Sequence, residues 1–292
     1  MEAFATAPQQ GWQARLELEL QRRESVTRLS RCRHNGPLYL QKPFYPEGRD
    51  LAHLYLLHPP GGIVSGDELE IDISVGAEAA ALVTTPGAAR IYRARSRDSC
   101  GNPRQLQRVQ LRVAEGASLE WFPLETIVYN DSCVSLQTNI DLAESSRLFA
   151  WEVTCFGLPA SGQRFESGSF QQRYLVKKKG VPLFIDQLQL DDGNRHLLQS
   201  TIGMAGHAVS GFFLAGPFES AVSDELQNEL RQIAEQQGLE RVGAVSRVGE
   251  LLIGRYLGGS AEQARKLFSL WWKILRPQLI GREACAPRIW LT

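Results

Sequence analysis

Residues 54–93 read LYLLHPPGGIVSGDELEIDISVGAEAAALVTTPGAARIYR. Two apolar runs flank a Pro-Pro-Gly-Gly loop, an acidic strand follows, and a second apolar strand stops at Thr84-Thr85-Pro86-Gly87. Turn residues this concentrated set the backbone at two points. Side chains of a strand alternate between faces, so parity sorts residues 67–75. Glu68, Glu70, Asp72 and Ser74 form a solvent face, and Asp67 falls at the inner end of the face carrying Leu69, Ile71, Ile73 and Val75.

The same punctuation continues on both sides. Runs of four to ten residues, broken by Gly, Pro, Asn or Asp, predict strands at 14–20, 38–41, 53–57, 69–75, 79–84, 105–113, 118–121, 126–129, 133–142, 147–156, 171–177 and 183–190. Short Gly-Ala turns after two of them, at 76–77 and 116–117, are a faint internal echo. Helices are predicted only late. One opens at Ser223 and ends at Gly238; the other opens on the Ser260/Gln263 capping box and is expected to close at Pro277. Between them, 242–256 reads as a strand pair around Gly249. The expectation is one mainly β domain over 1–292, β-rich from 12 to 220, with a helical addition at about 222–238 and 260–277.

Two further inward acids follow from parity. Glu152 shares its face with Leu148, Ala150, Thr154 and Phe156, while the opposite face, Phe149, Trp151, Val153 and Cys155, is also apolar. Asp186 shares a face with Phe184, Leu188 and Leu190. A buried ionised carboxylate is costly unless paired, hydrogen-bonded or hydrated. Each acid therefore either pairs or caps a turn, or the three line a wet passage that holds a cation weakly through oxygen ligands. Thr84 and Thr85 suit such a lining. His58, alone at a strand end, serves either a structural hydrogen bond or a metal or acid/base role.

The 292 residues carry 32 Lys+Arg and 32 Asp+Glu, a net charge of zero that gives no reason to expect nucleic acid or an acidic membrane as partner. The segment 90–108 carries six arginines with only Tyr92 among them, too few aromatics for a single-strand platform; it reads as a solvated hairpin tip or as a surface for an acidic partner. Five cysteines without a C-x-x-C argue against a thiolate zinc site. No leader is read at the N-terminus and no apolar run approaches the roughly 20 residues of a spanning helix, so the expected location is cytoplasmic. No G-x-S-x-G, Walker A or dinucleotide fingerprint is present. The late helix is apolar over more than half its circumference, through Phe268, Trp271 and Trp272, with Arg276 beside them. Such a face is either sunk in a core or docked on a partner.

Several motifs together closely resemble the UreD (UreH) family of urease accessory proteins. They are QKPFYPEG (41–48), HPPGGIV (58–64) with Gly66-Asp67, TTPGAA (84–89) with Tyr92-Arg93, EWFPLETI (120–127), Trp151-Glu152, RYLG (255–258) and PRIW (287–290). The resemblance implies an irregular, β-helix-like stack of strands with two helices near the C-terminus. It also implies a non-enzymatic scaffold that binds apo-urease and recruits UreF and, through UreF, the GTPase UreG. The assembly is heteromeric, and a dimer of that complex is one form open to it. No tightly bound cofactor is implied, only Ni2+ in transit. Asp67, Glu152 and Asp186 would line the nickel path, with Thr84, Thr85, Tyr92 and His58 beside them, and Phe268, Trp271, Trp272 and Arg276 would help seat UreF. Ser65, Leu124 and Asp186 stand where the family more often has Gly, Gln and Glu. The rivals are a β-rich hydrolase using Asp67 and Glu152 as an acid/base pair, and an adaptor whose inner acids are structural.

Overall fold

Two sheets face each other, and two helices cover the outer face of the second. The computed structural model describes residues 11–219 and 222–291; the segment read above for a leader lies mostly outside them. The first sheet has seven strands in the order Val181–Leu190, Gly168–Lys178, Ser132–Leu142, Gln105–Val113, Glu68–Val75, Gln13–Arg23, Val26–Asn35. Its four inner pairings are parallel, and the two outermost are antiparallel. The second sheet runs Gly243–Val248, Leu251–Gly258, Val209–Gly216, Arg147–Leu158, Ser118–Phe122, Ala80–Thr84, Leu51–Leu57, Tyr39–Leu40. Neither sheet closes on itself.

The faint Gly-Ala echo is the corner of a coil. Three times the chain leaves a first-sheet strand, makes a four-residue turn and enters the second sheet. The turns close through Ala79 N–H to Gly76 O (3.1 Å), Ala117 N–H to Ala114 O (3.1 Å) and Ser146 N–H to Ala143 O (3.4 Å). Successive corners stack, with Ala114 N–H on Val75 O and Ala143 N–H on Val113 O, both 2.9 Å. The third turn residue is left-handed in the first two corners, Glu78 (φ 60) and Gly116 (φ 66). Only Gly116 has the residue type that conformation favours, which is why the corners do not align as a sequence repeat. The β-helix-like reading therefore holds.

Burial follows the parity argument. Strand Glu68–Val75 alternates half-buried and buried residues along its length. The inter-sheet core takes Leu148, Ala150 and Phe156 from strand Arg147–Leu158. Phe149, Trp151, Val153 and Cys155 of the same strand enter a second core beneath the helices. Strand Val209–Gly216 was not anticipated: VSGFFLAG is apolar on both faces because both are covered, so it shows no alternation. Strand Val26–Asn35 was missed for the opposite reason, being mostly polar at the sheet's edge.

Among the described residues three α-helices punctuate the strands: α1 (Arg97–Cys100), α2 (Asp224–Gln236) and α3 (Ala261–Ile280). Helix α1 corrects the hairpin reading of 90–108, because this segment crosses from the second sheet to the parallel strand Gln105–Val113 of the first. Ser260 caps α3 by accepting from Gln263 N–H, as the capping box predicts. Pro277 does not close α3, however. Its ring is accommodated within the last turn, and the helix ends at left-handed Gly281 (φ 67), whose N–H bonds Pro277 O at 3.1 Å. No helix among the described residues is long and apolar enough to cross a membrane.

Candidate functional site: a polar seam between the sheets

Register brings the polar residues of the inter-sheet core into two facing rows. On the first sheet Thr138 pairs with Tyr174, and Tyr174 with Asp186. On the second, Glu152 pairs with Phe212, and Phe212 with Arg255. The rows meet across the gap. Thr138 Oγ1–H donates to Glu152 Oε1 at 3.0 Å, and Gln172 Nε2–H donates to Glu152 Oε2 at 2.6 Å. The Tyr174 and Phe212 rings lie 4.7 Å apart. At the outer end Arg255 holds Asp186 with two bonds, Nη1–Oδ2 at 2.8 Å and Nη2–Oδ1 at 2.6 Å.

Space opens on both sides of Glu152. A cavity of ≈ 430 Å³ reaches it from the His58 side, lined by His58, Thr85, Pro86, Gln107 and Trp121. A second, of ≈ 210 Å³, reaches it from the Asp186 side, lined by Gln172, Asp186, Met204 and Arg255. Glu152 lines both. It lies deep in the protein and keeps partial accessibility because it faces these cavities.

Electrostatics follow from that depth. Burial raises the Glu152 pKa above the ordinary glutamate value; the Thr138 and Gln172 hydrogen bonds and the nearby Tyr174 and Trp121 polar groups oppose the rise without cancelling it. The Tyr174 hydroxyl, buried beside Glu152, is pushed well above the usual phenol value and stays protonated. Neither the Tyr174 hydroxyl nor the Trp121 indole N–H has a hydrogen-bond partner of ordinary geometry. His58 is held below the ordinary histidine value by burial, against the nearby Asp67 charge. Its neutral imidazole is thus favoured at pH 7.

The remaining expected residues lie elsewhere. Asp67 is 4% exposed and lines neither cavity; its oxygens accept the backbone N–H groups of Trp12 (2.8 Å) and Val64 (2.9 Å), so it caps the loop that enters its strand. The Asp67/Glu152 acid/base pair consequently shares no cavity. Thr85 does line the larger cavity, donating to Gly87 O and accepting from Leu124 N–H. Thr84 is buried outside it, donating to Phe122 O (2.6 Å) and accepting the Trp290 indole N–H (2.9 Å). Tyr92 packs on Tyr129 with ring centroids 5.2 Å apart and covers Gly62, where a Cβ would stand 2.3 Å from its ring. Thr84 therefore ties down the C-terminal segment. Thr84→Val is expected to lower stability by about 1–2 kcal/mol, read in thermal unfolding, without altering the cavity.

Phe268, Trp271, Trp272 and Arg276 are fully buried, which corrects their expected place on a partner-facing surface. The apolar outer face of strand Arg147–Leu158 needs a cover, and α3 supplies it. Arg276 joins a network that the sequence reading missed. Its guanidinium bonds Glu120 (Nη2–Oε1 2.8 Å) and Glu47 (Nη1–Oε2 2.6 Å), Trp272 Nε1–H donates to Glu120 Oε2 (2.6 Å), and His53 Nε2 meets Glu47 Oε1 (2.7 Å). Glu47 and Glu120 both lie within the motifs quoted above, QKPFYPEG and EWFPLETI.

Among the described residues no three His, Cys, Asp or Glu side chains gather as a metal site. The hydrogen bonds on Glu152 thus form a polar seam through an otherwise apolar inter-sheet core. Residues 13–291 match the family model described as UreD urease accessory protein. Curated relatives named urease accessory protein UreD include one from Marinomonas sp. (strain MWYL1), 42% identical over 96% of this chain and 90% of its own. Others come from Alkalilimnicola ehrlichii, 40% identical over 97% and 92%, and Nitrosococcus oceani, 41% identical over 96% and 90%. The chain belongs to the UreD family of urease accessory proteins, whose named members are accessory proteins and not enzymes.

Proposed function

We propose that the chain is a cytoplasmic, non-enzymatic scaffold that joins apo-urease to UreF and, through UreF, to UreG, and that Ni2+ passes through its inter-sheet seam on the way to urease. One observation carries the nickel reading: Glu152 lines both cavities, so a single carboxylate stands on the wall of each. Oxygen groups of Thr85 and Glu152 line the first cavity, and those of Glu152 and Asp186 the second. Weak, exchangeable oxygen ligands suit a cation that must move on. Asp67 serves this path by holding the loop at its His58 end.

The test is nickel incorporation into urease with all accessory proteins present. Glu152→Leu, which replaces that carboxylate with an apolar side chain, is expected to lower incorporation by at least about tenfold, the effect of about 1.4 kcal/mol, while pull-down shows the complexes still assembled. Unchanged incorporation in an assembled complex would reject the passage. A pH series adds a second check. Because burial raises the Glu152 pKa, its cation-attracting form grows only as pH rises past the ordinary glutamate range. Wild-type delivery should rise through that window, and Glu152→Gln should remove the dependence.

A further inference from the structure

The seam has an inner acid at Glu152 and an outer acid at Asp186, and the outer acid is already paired. Both Asp186 oxygens are taken by one guanidinium, at 2.6 and 2.8 Å, so neither faces the cavity free for a cation. Arg255 is held there from beneath as well. Its guanidinium carbon lies 5.1 Å from the centre of the Phe212 ring, and that ring is packed between Tyr174 (4.7 Å) and Phe184 (5.8 Å). A planar fork lying on a ring matches this seat, which a lysine ammonium would not fill.

We propose that Arg255 is a latch on the passage: its guanidinium sits on Asp186 where a divalent cation would bind, and displacing it both opens the mouth and exposes the carboxylate. This rests on the conduit reading above and adds what controls that end of it. Three observations bear on it. The first is charge. The other polar residues lining this cavity (Gln172, Gln187 and Ser210) are neutral, so Arg255 is the group there that repels a cation and Asp186 and Glu152 are the groups that attract one. The second is the path behind the latch. The Tyr174 hydroxyl, in a side chain 1% exposed and without an ordinary hydrogen-bond partner, lies near enough to both Glu152 and Asp186 to feel their charges. Its oxygen thus lies beside Glu152 and within the field of Asp186.

The third is the contrast with the buried arginine–carboxylate cluster. Arg276 has no exposed surface and bridges two glutamates within the core, so it cannot leave without abandoning buried charge. The side chains of Arg255 and Asp186 are 46% and 27% exposed, and water can replace each partner as they separate. One pair is permanent and the other is built to open. Ile202, 89% exposed and on the rim of the same cavity, stands where a docking protein would reach the latch.

The experiment titrates Ni2+ into the isolated full-length chain by calorimetry. Arg255→Gln frees Asp186 and removes the repelling charge, so Ni2+ affinity is expected to rise at least about tenfold over wild type, where charge-assisted pairing masks the site. Arg255→Gln/Asp186→Asn should return to the wild-type value. Arg255→Lys, which keeps a charge and a single bond, should fall between them and guards against a glutamine variant that misfolds. Equal affinity in wild type and both single variants would overturn the latch, as would a gain that survives Asp186→Asn. The two failures are distinguishable: unchanged affinity in Arg255→Gln with impaired delivery in Glu152→Leu rejects the latch alone, and the reverse pattern rejects the conduit, leaving Arg255 only a mask over a cation site at Asp186.

Discussion

Arg276→Met lowers the stability of the protein by about 3–5 kcal/mol, seen as a fall in the urea midpoint with little change in slope. The guanidinium compensates Glu120, 1% exposed, and Glu47 together. Methionine fills most of the volume but leaves two carboxylates in the core with only Trp272 and His53 as partners. The loss depends on pH, with the same sign from both acids. Burial raises the Glu120 pKa, and the Arg276 bonds hold that rise in check. Without them Glu120 rises further, and a raised carboxyl forfeits stability as pH climbs through its folded value. At Glu47 burial is outweighed by bonds from His53 and Arg276, so its folded pKa is lowered. A lowered carboxyl stabilises above its unfolded value and loses that contribution as pH falls. The variant lacks much of this gain, so the gap from wild type should be widest near neutrality and narrow on acidification.

Trp271→Ala should cost a similar amount, about 3–5 kcal/mol, by a different route. Trp271 is wholly buried against Phe213 and Phe268, and its ring lies so close to Gly254 that a Cβ there would stand 2.5 Å from it. Its indole N–H donates to Leu230 O of α2 at 2.8 Å. Truncation opens a cavity and unties α2 together. Unfolding should show the global loss, and hydrogen exchange should show α2 losing protection ahead of the sheets. Uniform loss across the molecule would mean that α2 is held by other contacts.

These two residues show where reading from sequence reaches its limit. Width of the apolar arc established that α3 is covered on most sides, but arc width does not say whether the cover is the chain's own sheet or another protein. What decided it is strand Val209–Gly216, which widens the second sheet beneath the helix and has no periodic signal of its own. Asp67, Glu152 and Asp186 were correctly placed on inward faces because parity is local. Their fates differ because partners are not local. Asp67 meets two backbone N–H groups, one contributed by Trp12 from 55 residues away. Asp186 meets Arg255, 69 residues on, through pairings no single strand encodes. The coil corners were half visible, since their geometry repeats while their glycines shift.

The outermost strands of the first sheet bear on how the protein avoids its own kind. Four parallel pairings in succession would, if continued, invite another chain to add its strand at either end and grow a fibre. The chain turns back at both ends instead: Gln13–Arg23 folds onto Val26–Asn35, and Gly168–Lys178 onto Val181–Leu190, each antiparallel. The strand left facing outward at one end carries Arg28, Arg31 and Arg33, and that at the other carries Pro182 near its start. With a net charge of zero the molecule has little overall repulsion to keep copies apart. Protection against runaway stacking therefore falls to these two folded-back edges.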